Sequence, residues 1–169
     1  MRMNINNSQY VKGITLMKNI FNHLHTEEIL NRIDKLNPNS QPQWGRMDVA
    51  QMLAHCSSFQ DIAMGNSFPP RGWLGRLIGR LIGRFVKPIL YNDKPIPHNM
   101  STIPTILITD KKEFDTEREK LKQKIIAFQN DGPEKCTTHP HPFFGKLSSE
   151  EWGKGIYKHL DHHLKQFGV

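Results

Sequence analysis

The chain of 169 residues lacks the features of a disulfide-stabilised, membrane-spanning or disordered protein. Its two cysteines, Cys56 and Cys136, are too few for a disulfide scaffold and indicate a reducing, cytoplasmic compartment. A run of about 18 apolar residues is absent, which excludes a spanning helix. The Asn-rich start has neither the apolar stretch nor the cleavage site of a signal peptide.

Histidine and positive charge are what the chain has in excess. It carries nine histidines, and 23 lysines and arginines against 16 acidic residues give a formal net charge of +7. Its length suits one compact domain with its own core. We expect residues 1–16 to be a flexible N-terminal extension and residues 17–169 to be a single domain. The charge permits weak contact with nucleic acid or an anionic membrane but does not define the fold.

Apolar periodicity and capping residues predict four helices. Thr26 and Asp48 are candidate N-caps of the first two, and Ser148 with Glu151 forms a predicted capping box for the last. The predicted helices cover residues 26 to about 36, 48–64, about 110 to 128 or 129, and 148 to about 167. Only residues 105–108 could be extended. The predicted fold class is therefore all-α, a four-helix bundle.

The second and third predicted helices are about 45 residues apart, which is long for a bundle loop and allows a crossover. Within this segment a four-residue repeat predicts an accessory basic helix with a glycine stripe beside an arginine stripe. The stripes are Gly75, Gly79, Gly83 and Arg76, Arg80, Arg84. We expect this helix to pack through its glycines, with the arginines solvated or paired. The alternative is a surface for anionic membrane or nucleic acid, extended by Arg71 and Lys87.

Three histidines, His159, His162 and His163, lie near the end of the last predicted helix. Residues three or four apart share a helical face, at the spacing that two ligands of one metal ion need. His162 and His163 are about 100° apart around the helix, and the smaller angular drift of a four-residue spacing favours His159 with His163. Leu160 stands where a thermolysin-type protease would need glutamate. The alternative is that these histidines are solvated at the negative helix end.

His55 lies among apolar residues of the second predicted helix, where a buried imidazole needs a partner. It is either a core histidine bonded to a carbonyl or a third ligand beside His159 and His163. The second interpretation gives a three-histidine site with open positions, the pattern of a catalytic metal.

A separate cluster follows the third predicted helix and comprises Cys136, His139 and His141. A structural zinc ion would need four ligands, and the sequence shows no second group of ligands to complete such a site. We expect an ordered loop, with His141 near the mouth of a pocket. Four aromatic residues are either walls of that mouth or ordinary core and loop anchors: Trp44, Phe143, Phe144 and Trp152.

Two segments, QPQWGRMDVAQMLAHCS and HPFFGKLSSEEWGKGIYKHLDHHLKQFGV, resemble the DinB-like (DinB/YfiT-like) superfamily of metalloenzymes, in a branch classed as a domain of unknown function. The resemblance covers roughly residues 17–169. It implies a four-helix bundle with a long crossover and a divalent metal ion, nickel or zinc, held by His55, His159 and His163. The superfamily often continues its histidine pair with Arg-Gly-Gln, of which this chain keeps only the glutamine, Gln166.

The resemblance also implies an activity, because known members are metal-dependent thiol transferases and a thiol-dependent isomerase. We expect a metal-dependent thiol transferase or hydrolase with a small-molecule substrate and a low-molecular-weight thiol as co-substrate. Asp161 and Cys56 are turned away from the ligand side of their helices, so neither is expected to act as base or nucleophile. The alternatives are a non-catalytic metal-binding or stress-related bundle and an anionic-surface binder using the Gly/Arg helix. A homodimer is compatible with the sequence, and no specific nucleic acid is expected.

Overall fold

The computed structural model describes residues 17–69, 91–92, 94–100, 102, 104–141 and 144–169, and the backbone of two short strands. These strands, Tyr10–Val11 (β1) and Ile14–Thr15 (β2), pair antiparallel. The described residues contain four α-helices, α1 to α4, which span His23–Ile33, Val49–Ala63, Phe114–Asp131 and Ser149–Gln166. Short 3-10 turns occupy Pro104–Ile106 and Pro133–Lys135. The prediction of an all-α bundle is confirmed.

Reciprocal capping boxes define the starts of α2 and α4. The Asp48 carboxylate accepts the Gln51 backbone N–H at 2.8 Å, while the Gln51 side chain accepts the Asp48 N–H at 3.1 Å. Ser148 and Glu151 form the same arrangement ahead of α4. Because each box satisfies two backbone donors at a helix end, both starts were predictable from the sequence.

The start of α1 and the turn at Pro104–Ile106 differ from the predictions. Asn22, not Thr26, caps α1, because its side chain accepts the first free backbone N–H groups of the helix. Thr26 is buried in the first turn, and its hydroxyl donates to the Ile20 carbonyl. The segment 105–108 begins with a 3-10 turn instead of an extended run, because Pro104 has a backbone φ suited to a helical turn. The carbonyl of Pro104 accepts the Leu107 N–H at 3.2 Å.

The helices pack so that α1 and α2 each contact both α3 and α4. Near the start of α2, Gln51 donates to the carbonyl of Asp110, just before α3, at 3.2 Å. Near the end of α2, Asp61 pairs with Lys124 in the second half of α3 at 2.6 Å. These two helices therefore run in the same direction, so the chain between them must cross the bundle, which confirms the predicted crossover. The predicted accessory helix, residues 74–85, lies outside the described residues.

The core forms from one apolar stripe on each helix. The largest fully buried apolar side chains of the helices are Ile29, Ile33, Met52, Leu53, Leu121, Ile125, Trp152, Ile156, Leu160 and Leu164. His55 of α2 and His163 of α4 are also buried, at 3% and 8% exposure. Buried imidazoles need polar partners, so these two residues direct attention to the contact between α2 and α4. None of the helices in the described part of the chain is long and apolar enough to cross a membrane.

Candidate metal site

Three histidines meet where α2 packs against α4. His55, His159 and His163 each offer a ring nitrogen, and the three nitrogens lie within 4.8 Å of one another. Their ring centroids are 4.6 to 5.0 Å apart. Across the residues that the structure describes, no other group of three His, Cys, Asp or Glu side chains is arranged in this way. The fold thus brings together the three residues singled out in the sequence, and together they could hold a metal ion.

The ring of His55 is oriented by the 3-10 turn that follows the crossover. Its Nδ1 lies 2.8 Å from the carbonyl oxygen of Ile106, which can only accept a hydrogen bond. The proton of His55 is therefore on Nδ1, and the lone pair is on Nε2. Fixing the tautomer through the second ring nitrogen is the usual way in which proteins prepare a histidine ligand.

His163 is oriented by Gln166, one helical turn further along α4. Its Nδ1 donates to Gln166 Oε1 at 2.8 Å, and Gln166 Nε2 donates to the Trp44 carbonyl at 2.6 Å. Gly45 makes room for this amide: its φ is +84°, and a Cβ there would lie 2.5 Å from Gln166 Nε2. This chain of contacts leaves the Nε2 lone pair of His163 available to a metal ion.

His159 places its Nε2 only 3.1 Å from Nε2 of His55, with its ring stacked on Phe59. In a tetrahedral zinc site with bonds of 2.0–2.1 Å, two ligand nitrogens are about 3.3 Å apart, so this pair is close to chelating geometry. Without an ion, the same two nitrogens share one N–H···N hydrogen bond. The other ring nitrogen of His159 is buried and has no hydrogen-bond partner within the described residues. The donor set, three imidazole nitrogens, suits zinc or nickel.

Burial keeps the three rings neutral. It lowers the pKa of His55, although the hydrogen bond to the Ile106 carbonyl partly raises it again. It lowers the pKa of His163 to about 3, helped by the neighbouring His55. The pKa of His159 falls well below its ordinary value through burial and then through His163 and His55. Metal ions bind neutral imidazole, so the three rings already have the charge state that coordination requires at neutral pH.

A cavity of about 690 Å³ opens over the three histidines. Trp44 and His162 line it, the latter beside the cluster and not within it. Of the other predicted wall residues, Trp152 is buried in the core and Phe144 stacks on His141 with ring centroids 4.6 Å apart. Phe143 lies outside the described residues. A space of this volume accommodates a small molecule.

Asp161 and Cys56 take no part in the cavity. The Asp161 carboxylate accepts hydrogen bonds from Arg32 and from Lys165, both at 2.8 Å. Cys56 is buried, and burial raises the pKa of its thiol. Both side chains point away from the histidines, as their helical positions predicted.

Two contributors to the site were not identified from the sequence: the carbonyl oxygens of Ile106 and Trp44. Each accepts a hydrogen bond that orients a ligand ring, directly or through Gln166. Gln166 itself was noted only as part of the resemblance. Main-chain acceptors occur at every residue, so no side-chain pattern could have marked these two.

A crossover four-helix bundle whose second and last helices bring three histidines to one cavity defines the class of this protein. The chain belongs to the family described as "Protein of unknown function (DUF1569)", which matches residues 17–168. No curated protein and no solved structure matches the chain.

Proposed function

We propose that this protein is a metal-dependent thiol transferase or hydrolase of the DinB-like type, with nickel or zinc held by His55, His159 and His163. One observation carries the proposal: three neutral imidazoles from two helices converge at the base of a cavity. The DinB-like relationship is supported by one histidine on the second helix and a pair on the last, joined through a bundle with a crossover. We place the protein in the cytoplasm, because the reducing conditions there keep a low-molecular-weight thiol in the reduced form that the reaction needs.

A divalent ion held by His55, His159 and His163 would keep its charge and its open positions, and it would supply Lewis-acid activation of a thiol or of water near neutral pH. The chain's own contribution is to hold the ligands and bind the substrate. Ile106 and Gln166 fix two of the rings. The described lining residues include Arg46 but no carboxylate, so they offer a cation for substrate binding and no acidic general base.

Metal content and turnover test the proposal together. The full chain, loaded with nickel or zinc, should contain about one ion per molecule by elemental analysis. It should then consume a small electrophile in the presence of one of a panel of low-molecular-weight thiols. Turnover should disappear on chelation and in His159→Ala, whose ring would no longer complete the ligand set.

The His162→Ala variant is the matched control for metal binding, because it removes an adjacent histidine of the same helix and should retain bound metal. Equal rates in the parent protein and in His159→Ala across the thiol panel would exclude thiol transfer. Metal-dependent hydrolysis would then be measured with the same two variants, and equal rates there would exclude catalysis at this site.

A further inference from the structure

A second cavity, of about 310 Å³, adjoins the metal cavity. The two cavities share Trp44, Ile96 and His162 in their walls. The shared wall is built of rings: Trp44 stacks on His98 with centroids 3.8 Å apart and lies 5.7 Å from His162. A small molecule lying across this wall would reach both spaces.

The described lining of the second cavity carries a positive net charge. Its described lining contains one carboxylate, Asp161, and four ammonium groups, those of Lys18, Lys94, Lys158 and Lys165, so its net charge is +3. Of the ion pairs that described residues form with this lining, the one between Glu28 and Lys18 is offset by the one between Arg32 and Asp161. An excess of this size at short range attracts an anion even at physiological ionic strength, where screening acts over about 8 Å.

The charges of this cavity are also positioned. Lys158 Nζ donates to the Asn92 carbonyl at 2.8 Å and to its side-chain oxygen at 3.3 Å, which fixes one ammonium at the wall. Asp161 is engaged by Arg32 and Lys165, so its carboxylate is already neutralised. Within the described residues Lys94 has no ion-pair partner. Lys94 therefore places a cation at this lining that no described carboxylate pairs with.

We infer that this lysine-lined cavity binds the anionic group, a carboxylate or a phosphate, of the small molecule whose reacting end enters the metal cavity. The anion site follows from the charges and the volume alone. Its link to a reacting molecule rests on the proposed function. The substrate class is accordingly a small acidic compound: its oxyanion lies among the lysines and its apolar portion lies against Trp44 and Ile96.

The anion site is tested on the metal-free full chain by calorimetric titration with succinate and, separately, with inorganic phosphate. At least one should bind, and the tighter of the two identifies the anionic group. Lys94→Glu and Lys158→Met should each weaken this binding about tenfold or more, since the first adds repulsion and the second removes an oriented cation. Lys146→Glu is the control, because it changes an exposed lysine that precedes α4 and lines neither cavity.

Two results would overturn the anion site: no binding of either probe, or the same loss in Lys146→Glu as in Lys94→Glu. The second result would show that only the net charge of the molecule matters. Because Lys94 is exposed, its variant should fold, so the test does not depend on Lys158→Met.

The link between the cavities is tested on cobalt-loaded protein with mercaptosuccinate and with 2-mercaptoethanol. Sulfur-to-cobalt charge-transfer absorption should saturate at a lower concentration of mercaptosuccinate, and Lys94→Glu should abolish that advantage while leaving 2-mercaptoethanol unchanged. No advantage for mercaptosuccinate would overturn the link. Failure of cobalt to bind would contradict the proposed function, whereas the titrations without metal decide the anion site separately.

Discussion

His55, His159 and His163 lie on two packed helices, whereas Cys136, His139 and His141 follow one another along a single loop. The first three come within reach of one ion although about 100 residues separate His55 from the other two. In the loop, proximity along the chain does not produce convergence. The backbone of His141 pairs with that of Gly145, and its ring is buried; His139 is exposed.

The two clusters also differ in what orients their rings. Nδ1 of His55 and Nδ1 of His163 each donate to a fixed oxygen. Nδ1 of His141 instead accepts the backbone N–H of Phe144 at 3.4 Å, and its ring packs against Phe59 and Trp152. Burial of a histidine therefore has two outcomes in this molecule. One ring presents a lone pair to a cavity, and the other closes a loop against the core.

Removing ligands should produce the largest difference between the clusters. His55→Ala, His159→Ala and His163→Ala should each weaken nickel or zinc binding by more than about 100-fold, beyond the usual effect of an outer partner. His139→Ala should leave the affinity nearly unchanged, because this residue is exposed and is not among the three clustered histidines. Equilibrium competition with a chelator measures both. Loss of binding in His162→Ala but not in His163→Ala would show that the ligand assignment is wrong.

The role of the outer partners is tested by a pair of buried glutamines. Gln166→Leu removes the acceptor that orients His163, so metal affinity should fall by about 10- to 100-fold. Gln60→Leu is the matched control, since Gln60 is equally buried and neither atom of its amide has a hydrogen-bond partner within the described residues. Its metal affinity should be that of the parent protein. Equal affinities in the two variants would mean that Gln166 does not prepare His163.

Much of this fold could be predicted because its signals are local. The capping boxes at Asp48 and Ser148 satisfy their own helix ends, and the apolar stripe of α3 follows the helical period. The start of α1 could not be predicted, because Asn22 and Thr26 are both residue types that cap helices. Thr26 instead donates to the Ile20 carbonyl, and the backbone N–H of Ile20 donates to the Gly153 carbonyl of α4, a tertiary contact that the local sequence does not reveal.

The features of the site likewise divide into local ones, which could be predicted, and tertiary ones, which could not. The spacing of His159 and His163 is a local property of one helix, and it was predicted as a ligand pair. Joining His55 to that pair required the packing of α2 on α4, so the sequence left this as one of two interpretations of His55, and the resemblance favoured it. The acceptors at Ile106 and Trp44 depend on how two loops return to the bundle, and their chemistry is that of any peptide carbonyl.

Acid should destabilise the metal-free protein through the histidine cluster. Each buried ring has a lowered pKa in the folded state, so below about pH 6.5 the unfolded chain binds protons that the folded chain does not. Stability is therefore fully present above that pH and is lost as the pH falls towards the folded-state pKa of His163, about 3. Urea unfolding at several pH values measures the slope of the unfolding free energy against pH.

Replacing one ring should reduce that slope. His163→Leu should lower it by up to about 1.4 kcal/mol per pH unit, the contribution of one proton. The exposed His139→Ala should leave it unchanged. An identical slope in the parent protein and in His163→Leu would show that His163 does not couple folding to protonation.

The smallest expected effect is a difference in metal affinity between alanine variants of two glycines, one beside each cluster. Gly45 and Gly145 both have positive φ, +84° and +69°, so alanine at either position should cost about 1–2 kcal/mol of folding stability. Only at Gly45 would the new Cβ meet a neighbour, Gln166 Nε2 at 2.5 Å; at Gly145 it would meet nothing within 4 Å. Gly45→Ala should therefore also displace the amide that orients His163 and weaken metal binding several-fold, below the roughly 10-fold or greater loss of Gln166→Leu. Thermal unfolding gives the shared stability loss, and chelator competition gives the difference. If Gly145→Ala weakened metal binding as much as Gly45→Ala, backbone strain alone would account for the effect, and the contact between Gly45 and Gln166 would have no part in preparing the site.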